Sequence, residues 1–208
     1  MTTVGRWSPN KVRARVLDGT WVSTEELGGM VLLTPTSIAY TGTSASIGAN
    51  GSVTFSACSS LSLNGVFSAD YDNYMIVFRY KTSASGGWYW RLRLSGADNS
   101  TANSYTDQQL RANSTTVSGT RGANAESYLA NGDNTYDAGF IHYIYGPHLA
   151  QPTAGRTITI DPASGAYIQD SAHTHNQSTA YDGFTYVPWG VAGITANGLV
   201  SVYGLVGA

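Results

Sequence analysis

The sequence has a single cysteine, few prolines and little charge. Its 208 residues include one Cys and six Pro, and charged residues make up 12% of the chain, about half the usual fraction in globular proteins. A lone cysteine, Cys58, excludes an intramolecular disulfide. The fold must therefore depend on burial of the 42% of residues that are hydrophobic.

Long apolar runs and an excess of positive charge are also missing. The longest apolar runs, such as residues 30–33 and 75–78, are far shorter than the roughly 20 residues of a membrane-spanning helix. Residues 1–7 lack the apolar segment of a secretory signal peptide. The net charge is −2, whereas general nucleic-acid binders are basic. We therefore expect neither membrane insertion nor nucleic-acid binding.

Short stretches that alternate polar and apolar residues are abundant, and 24 glycines mark turns between them. No window of ten residues has a helical period. The sequence predicts an all-β fold, an antiparallel β-sandwich of jelly-roll-like type, with a barrel as the nearest alternative. Residues 74–80 are expected to form a central strand, and a β-bulge is expected near Trp90. The Asn64-Gly65 dipeptide predicts a turn, and the polar residues 95–104 and 113–124 are expected to be rich in turns. The predicted strands are residues 52–55, 60–63, 74–80, 88–94, 105–110, 140–145, 156–161, 166–168 and 199–205.

The first 29 residues differ from the rest in charge. Residues 11–17 and 20–22 flank an Asp-Gly turn and predict a small hairpin, which ends before the Gly28-Gly29 pair. A lone hairpin is marginally stable in water, so we expect this one to pack on the β-domain, on a copy of itself or on a larger assembly. The alternative is an ordinary first hairpin of the domain. We interpret residues 1–29 as an attachment arm and residues 30–208 as the β-domain. The candidate attachment residues are Arg6, Lys11, Arg13, Arg15 and Trp21.

Motifs of catalysis are absent from the sequence. It has no nucleophile elbow, phosphate-binding loop or HExxH motif, and no carboxylate pair is singled out. His173 and His175, with His148 or Asp170, could hold a metal, but no third ligand stands at a diagnostic spacing. We therefore expect exposed loop histidines, no cofactor and no enzymatic activity.

The chain is rich in tyrosine and tryptophan, with 14 Tyr and 5 Trp against 5 Phe. Such rings suit half-exposed positions, where they stack on sugars or pack between subunits. Residues 170–189 are expected to form a distal loop that contacts a glycan or a partner. The alternative is that Tyr186 and Trp189 pack inward beside Pro188. The candidate contact residues are His173, His175, Tyr181, Tyr186 and Trp189.

Several segments together resemble a β-domain of virion structural proteins of tailed bacteriophages. They are residues 51–56 (GSVTFS), 60–68 (SLSLNGVFS) and 71–78 (YDNYMIVF), followed by RLRLSG at 91–96 and VYG at 202–204. Residues 11–22 resemble a short unit that precedes C-terminal domains of phage tail proteins. Residues 146–191 match nothing in this pattern.

The resemblance implies a non-enzymatic structural protein on the virion surface, assembled in the bacterial host cytoplasm. Its arm would dock on other virion proteins, either the tail or the major capsid protein, with a minor tail or tail-fibre position favoured over capsid decoration. We expect a homotrimer, because trimerisation covers strand edges that little charge protects. Two further alternatives are a carbohydrate-binding module that recognises host surface glycans and a glycan-degrading enzyme.

Overall fold

A computed structural model describes residues 29–125, 128–132, 137–161, 167–190 and 192–206. The predicted attachment arm, with Arg6, Lys11, Arg13, Arg15 and Trp21, lies outside the described residues apart from Gly29. Within the described residues all regular structure is strand, which confirms the predicted all-β class. The fourteen strands there are β1 (Gly29–Leu33), β2 (Ser37–Ile47), β3 (Val53–Asn64), β4 (Asn73–Thr82), β5 (Gly86–Leu94), β6 (Ala97–Asp98), β7 (Tyr105–Asn113), β8 (Thr116–Ala125), β9 (Tyr128–Gly132), β10 (Ala138–Tyr145), β11 (Thr153–Asp161), β12 (Tyr167–His175), β13 (Gly183–Gly190) and β14 (Ala196–Val206).

The strands form an antiparallel sheet that is folded over on itself. The order β14-β4-β10-β11-β12-β7-β8, with β1 also on β14, makes the first sheet. The second sheet consists of β13 and β5, and β6 and β9 both pair with β5. Aromatic contacts between β4 and both strands of the second sheet show that the sheets face each other. The architecture is thus the predicted jelly-roll-like β-sandwich.

Strand β3 joins the two sheets. Its first half pairs with β14 and its second half with β13, while β2 pairs along its whole length. The change of partner falls at Ala57, whose φ of 46° marks a bulge, and the register of β2 shifts opposite it. A Cβ on Gly42 would lie 2.3 Å from the Ala57 carbonyl oxygen, so the partner strand needs glycine there. Sandwich corners are commonly made by such bulged strands.

The core between the sheets is aromatic. Phe78 on β4 lies 4.7 Å from the rings of both Phe140 and Tyr186 and 4.8 Å from that of Trp88, measured between centroids. All four side chains are at most 4% exposed. Strand β4 lies between β14 and β10, which confirms that residues 74–80 form a central strand.

The connection from β3 to β4 is a compact corner. Gly65 of the predicted Asn-Gly turn has a φ of 66°, which favours glycine. The Tyr74 hydroxyl lies 2.8 Å from the Ser68 carbonyl oxygen, and it accepts a hydrogen bond from the Ser68 amide, also at 2.8 Å. These residues belong to the segments that resemble the virion β-domain, so in this chain those segments build the fold.

Several local predictions are wrong. Strand β5 pairs with β13 in an unbroken register, so there is no bulge near Trp90: Trp88, Trp90 and Leu92 simply share the inner face. The polar residues 113–124, expected to be rich in turns, lie mostly in β8, and residues 170–189, expected to form a distal loop, lie mostly in β12 and β13. In residues 170–189 polar side chains such as Ser171, His173 and Thr185 occupy positions that the fold buries. Strand β8 is different, because it is the last strand in the order and its residues 116–121 are exposed.

Replacing Ile76 by Asp is expected to unfold the domain. Ile76 is 0% exposed on the central strand, so the substitution buries an unpaired carboxylate at a cost of several kcal/mol, against a typical domain stability of roughly 5–15 kcal/mol. Val77 points to the opposite face and is half-buried, so Val77→Asp should cost less. Soluble yield and urea-induced unfolding measure both effects. A native-like unfolding midpoint for Ile76→Asp would contradict the central position of β4.

Candidate functional site

Four of the five predicted contact residues are buried. His173 and His175 lie on the inner face of β12, Tyr186 on the inner face of β13, and Tyr181 in the segment before it, each at most 1% exposed. The expectation of exposed loop histidines is therefore wrong. Alternation along each strand turns these side chains inward, where a surface glycan does not reach them. Trp189, the fifth residue, is half-buried on the opposite face of β13.

Two of the buried histidines have hydrogen-bond partners in the interior. His173 Nε2 shares a hydrogen bond of 2.7 Å with Thr157 Oγ1, and His175 Nε2 shares one of 2.6 Å with the Tyr181 hydroxyl. Asn99 Nδ2 donates to that same hydroxyl at 2.7 Å. These partners explain how polar side chains are accommodated in the interior. The two histidines thus belong to the structure of the core.

His142 on β10 completes this polar interior. It is 0% exposed, its ring centroid lies 4.0 Å from that of Trp90, and neither ring nitrogen has a hydrogen-bond partner among the described residues. Burial holds its pKa well below the ordinary value, and the nearby His173 contributes in the same direction. Burial also lowers the pKa of His173 to about 3 and that of His175 to about 4. All three imidazoles are therefore neutral at pH 7.

Neither a metal centre nor a membrane span is found in the described part of the chain. No group of three or more His, Cys, Asp or Glu residues there has a metal-binding arrangement. No helix of sufficient length and apolar character to cross a membrane occurs in the same residues.

The outer face of the second sheet carries a different arrangement, which we call the aromatic platform. The rings of Tyr89 on β5 and Trp189 on β13 stack at 5.4 Å between centroids with an interplanar angle of 22°. Tyr89 is 39% exposed. The β5–β13 register places Val187 beside Tyr89 and Thr185 beside Arg91. A shallow depression with a cavity volume of about 100 Å³ lies here and is lined by Tyr89, Trp90, Arg91, Thr185 and Val187.

A buried hydrogen-bond network holds one end of the platform. Arg93 is 7% exposed, and its Nη1 donates to Ser62 Oγ at 2.8 Å and to Thr185 Oγ1 at 2.5 Å. Asp98 Oδ1 accepts from both Arg93 Nη1 and the Thr185 hydroxyl. A charged pair with several additional hydrogen bonds fixes the strands at this point. The platform is thus a preformed surface on rigid strands.

Chemically, the platform offers stacking and hydrogen bonding. An exposed aromatic face packs against the apolar face of a sugar ring, and Arg91 supplies guanidinium donors for hydroxyl or carboxylate oxygens. The residues that line the depression include no carboxylate. Sequence reasoning identified Trp189 but missed Tyr89 and Arg91, because it searched the loops for aromatic residues. The available signal was the polar-apolar alternation of residues 88–94, which places Tyr89 and Arg91 opposite the tryptophans.

Comparison with known proteins yields only distant structural likenesses. No protein-family model matches the sequence, and no curated protein matches it. Among solved structures, a seed lectin of Lotus tetragonolobus is similar with 10% identity and a TM-score of 0.35, over 85% of this chain and 96% of the lectin. Basic winged bean lectin, whose structure contains the Tn-antigen, has 7% identity and a TM-score of 0.33, over 86% of this chain and 98% of that one.

Acidification below pH 6.5 is expected to destabilise the protein through its buried histidines. Their folded-state pKa values are depressed, so the unfolded chain binds protons first, near pH 6.5, and the free energy of unfolding falls as the pH drops toward 4. Burial raises the pKa of Asp107, so the folded state takes up this proton more readily than the unfolded chain does. Asp107 therefore opposes the trend in the pH range where it titrates. Thermal unfolding from pH 8 to pH 4 measures the effect.

His142→Leu tests the assignment, because removing this unpaired imidazole leaves no described hydrogen-bond partner unsatisfied. The variant should fold at pH 8 and lose less stability on acidification than the unmodified protein. Ile144→Val, a change of one methylene at a buried position on the same strand, is the control and should keep the shape of the original profile because it removes no titratable group. Identical pH profiles for all three proteins would contradict the role of His142.

Proposed function

We propose that this protein is a non-catalytic β-sandwich that binds carbohydrate on the aromatic platform. The observation that carries this proposal is the stacking of the exposed Tyr89 on the half-buried Trp189, with Arg91 nearby on the same face of the sheet. Strands fix the two rings in advance, so little conformational entropy is lost when a sugar binds. Arg91 suits either a neutral sugar, through its hydroxyls, or an acidic one, through its carboxylate.

A hydrolytic role receives less support from the same surface. Glycosidases use a pair of carboxyl groups about 5–10 Å apart on either side of the scissile bond. The residues lining the platform include no acidic side chain, and the nearby Asp98 is held by Arg93 and Thr185. We therefore infer recognition without turnover.

Tyr89→Ala is expected to weaken glycan binding by roughly tenfold, because ring stacking contributes on the order of 1 kcal/mol beyond the area it buries. The full chain is first applied to an array of bacterial surface glycans, and the strongest ligand is then titrated by calorimetry. Tyr40→Ala, which removes a tyrosine that is 43% exposed on β2, is the matched control. Both variants should keep the original melting temperature. Absence of any glycan binding, or equal affinities for both variants, would overturn the proposal.

We further propose that the protein is displayed on the virion of a tailed bacteriophage. What supports this is the resemblance of residues 51–78, 91–96 and 202–204, together with that of residues 11–22 to tail-protein linkers, which favours the tail over the capsid. In this setting the basic arm attaches the protein to the particle in the host cytoplasm. The platform then recognises glycans of the host surface.

Deleting residues 1–29 is expected to leave a folded body that no longer joins particles. The residues of the aromatic core lie between Val53 and Val202, so the deletion removes none of them. Circular dichroism checks the fold of the truncated protein. Gold labelling of purified particles by electron microscopy checks incorporation and distinguishes tail from head. Normal decoration of particles by the truncated protein would show that the arm is not the anchor.

A further inference from the structure

Part of the outer face of the first sheet is apolar and open to solvent. Exposed fractions there are 58% for Leu110, 66% for Val117, 37% for Ile141, 61% for Ile160 and 51% for Ile168. These residues lie on β7, β8, β10, β11 and β12, which are consecutive neighbours in the sheet. We call them, with the half-buried Ile158, the apolar outer face. Aliphatic side chains favour burial by about 25 cal/mol for each Å² removed from water.

The strand register makes this surface continuous. Ile160 is opposite Ile168, Ile168 is opposite Ala112, and Ala112 is opposite Val117, so one row of apolar side chains crosses four strands. In the next row, Ile141 is opposite Ile158. Isolated exposed aliphatic residues are ordinary, but a contiguous patch on a folded protein marks an interaction surface.

The same strands turn polar side chains inward. On β11 the inner positions include Thr157 and Thr159, whereas Ile158 and Ile160 point outward. On β12 Gln169 and Ser171 are inside, and Ile168 is outside. A sheet with one face on the core and the other in water normally has apolar side chains inside and polar side chains outside. In these strands the distribution is reversed. An apolar outer face of this kind is typical of a sheet that another protein surface covers.

The charge of the face favours a partner that is itself neutral. Arg156 and Asp170 sit near its centre and are joined in an ion pair, with Arg156 Nε donating to Asp170 Oδ1 at 2.9 Å. Each therefore neutralises the other, and two copies of the face would not repel. An anionic partner such as nucleic acid or an acidic membrane finds no concentration of positive charge there.

The size of the sheet fits a stable protein contact. Five strands from β10 to β8, at about 4.8 Å each, span about 24 Å, and seven residues at about 3.4 Å each also span about 24 Å. The product is about 580 Å², which is close to the roughly 600 Å² that each partner contributes at the small end of standard interfaces. The aliphatic residues provide an apolar centre and the remaining polar residues a rim.

We propose that the apolar outer face is the surface through which two copies of this chain associate. Burying Ile160, Ile168, Leu110 and Val117 against a second copy removes the most exposed aliphatic side chains of the sheet from water. The association places the aromatic platform, on the other sheet, outside the contact. Glycan binding and association are therefore separable properties.

Ile168→Lys tests this association, because the side chain is 51% exposed and a lysine there is solvated in a single copy but buried between two. Leu94→Lys, at a leucine that is 43% exposed on β5 of the second sheet, is the matched control. Multi-angle light scattering of the full chain at about 5–50 μM gives the mass, and circular dichroism gives the melting temperature.

The unmodified protein and Leu94→Lys should have a mass of twice 22.0 kDa, and Ile168→Lys should have a mass of 22.0 kDa with retained secondary structure. Should Ile168→Lys fail to fold, Val117→Glu on β8, 66% exposed, applies the same test. A 22.0 kDa mass for the unmodified protein, or an unchanged multimer in the folded variants, would overturn the proposal. Titration calorimetry separates this proposal from the proposed glycan binding. The Ile168→Lys variant should lose association but keep the glycan affinity of each platform unchanged.

Discussion

Strand β3 belongs to both sheets, and the bulge at Ala57 is the point at which it changes from one to the other. The bulge turns a single antiparallel sheet into two layers with a shared strand. Because the layers face each other, Phe78 on β4 meets Trp88 on β5 and Tyr186 on β13. The outward side of β5 and β13 is then free to carry Tyr89 and Trp189. The aromatic core and the candidate site therefore both depend on the bulge in β3.

The two parts of the interior are stabilised by different interactions. Between β4, β5 and β13 the contacts are aromatic, and burial of apolar area stabilises the fold. Beneath β11, β12 and β7 the interior consists of Thr, Gln, Ser and His side chains, where Gln169 Nε2 donates to Ser171 Oγ at 2.9 Å and Gln109 Nε2 donates to Asp107 Oδ2 at 2.7 Å. Such a network specifies a unique arrangement, since a shift of register would leave buried groups unpaired.

The sequence predicted the class of fold, the central strand and the Asn64-Gly65 turn, because period-two alternation and turn chemistry are local properties. It did not predict which face of each strand is inside. For residues 167–175 the alternation of His173 and His175 with smaller residues is clear, but only the packing of the whole sheet turns the histidines inward. The same limitation concealed the candidate site, since Tyr89 is recognised as exposed only once Trp88 and Trp90 are known to fill the core.

The two proposed surfaces lie on opposite sides of the sandwich, and this geometry determines the valency of the assembly. When two copies meet through their first sheets, four layers about 10 Å apart separate the platforms, which then face in opposite directions, about 30 Å apart. A rigid pair of this kind cannot place both platforms on one flat surface, so it gains no avidity there. It links two separate glycan-bearing surfaces instead, as an agglutinin does.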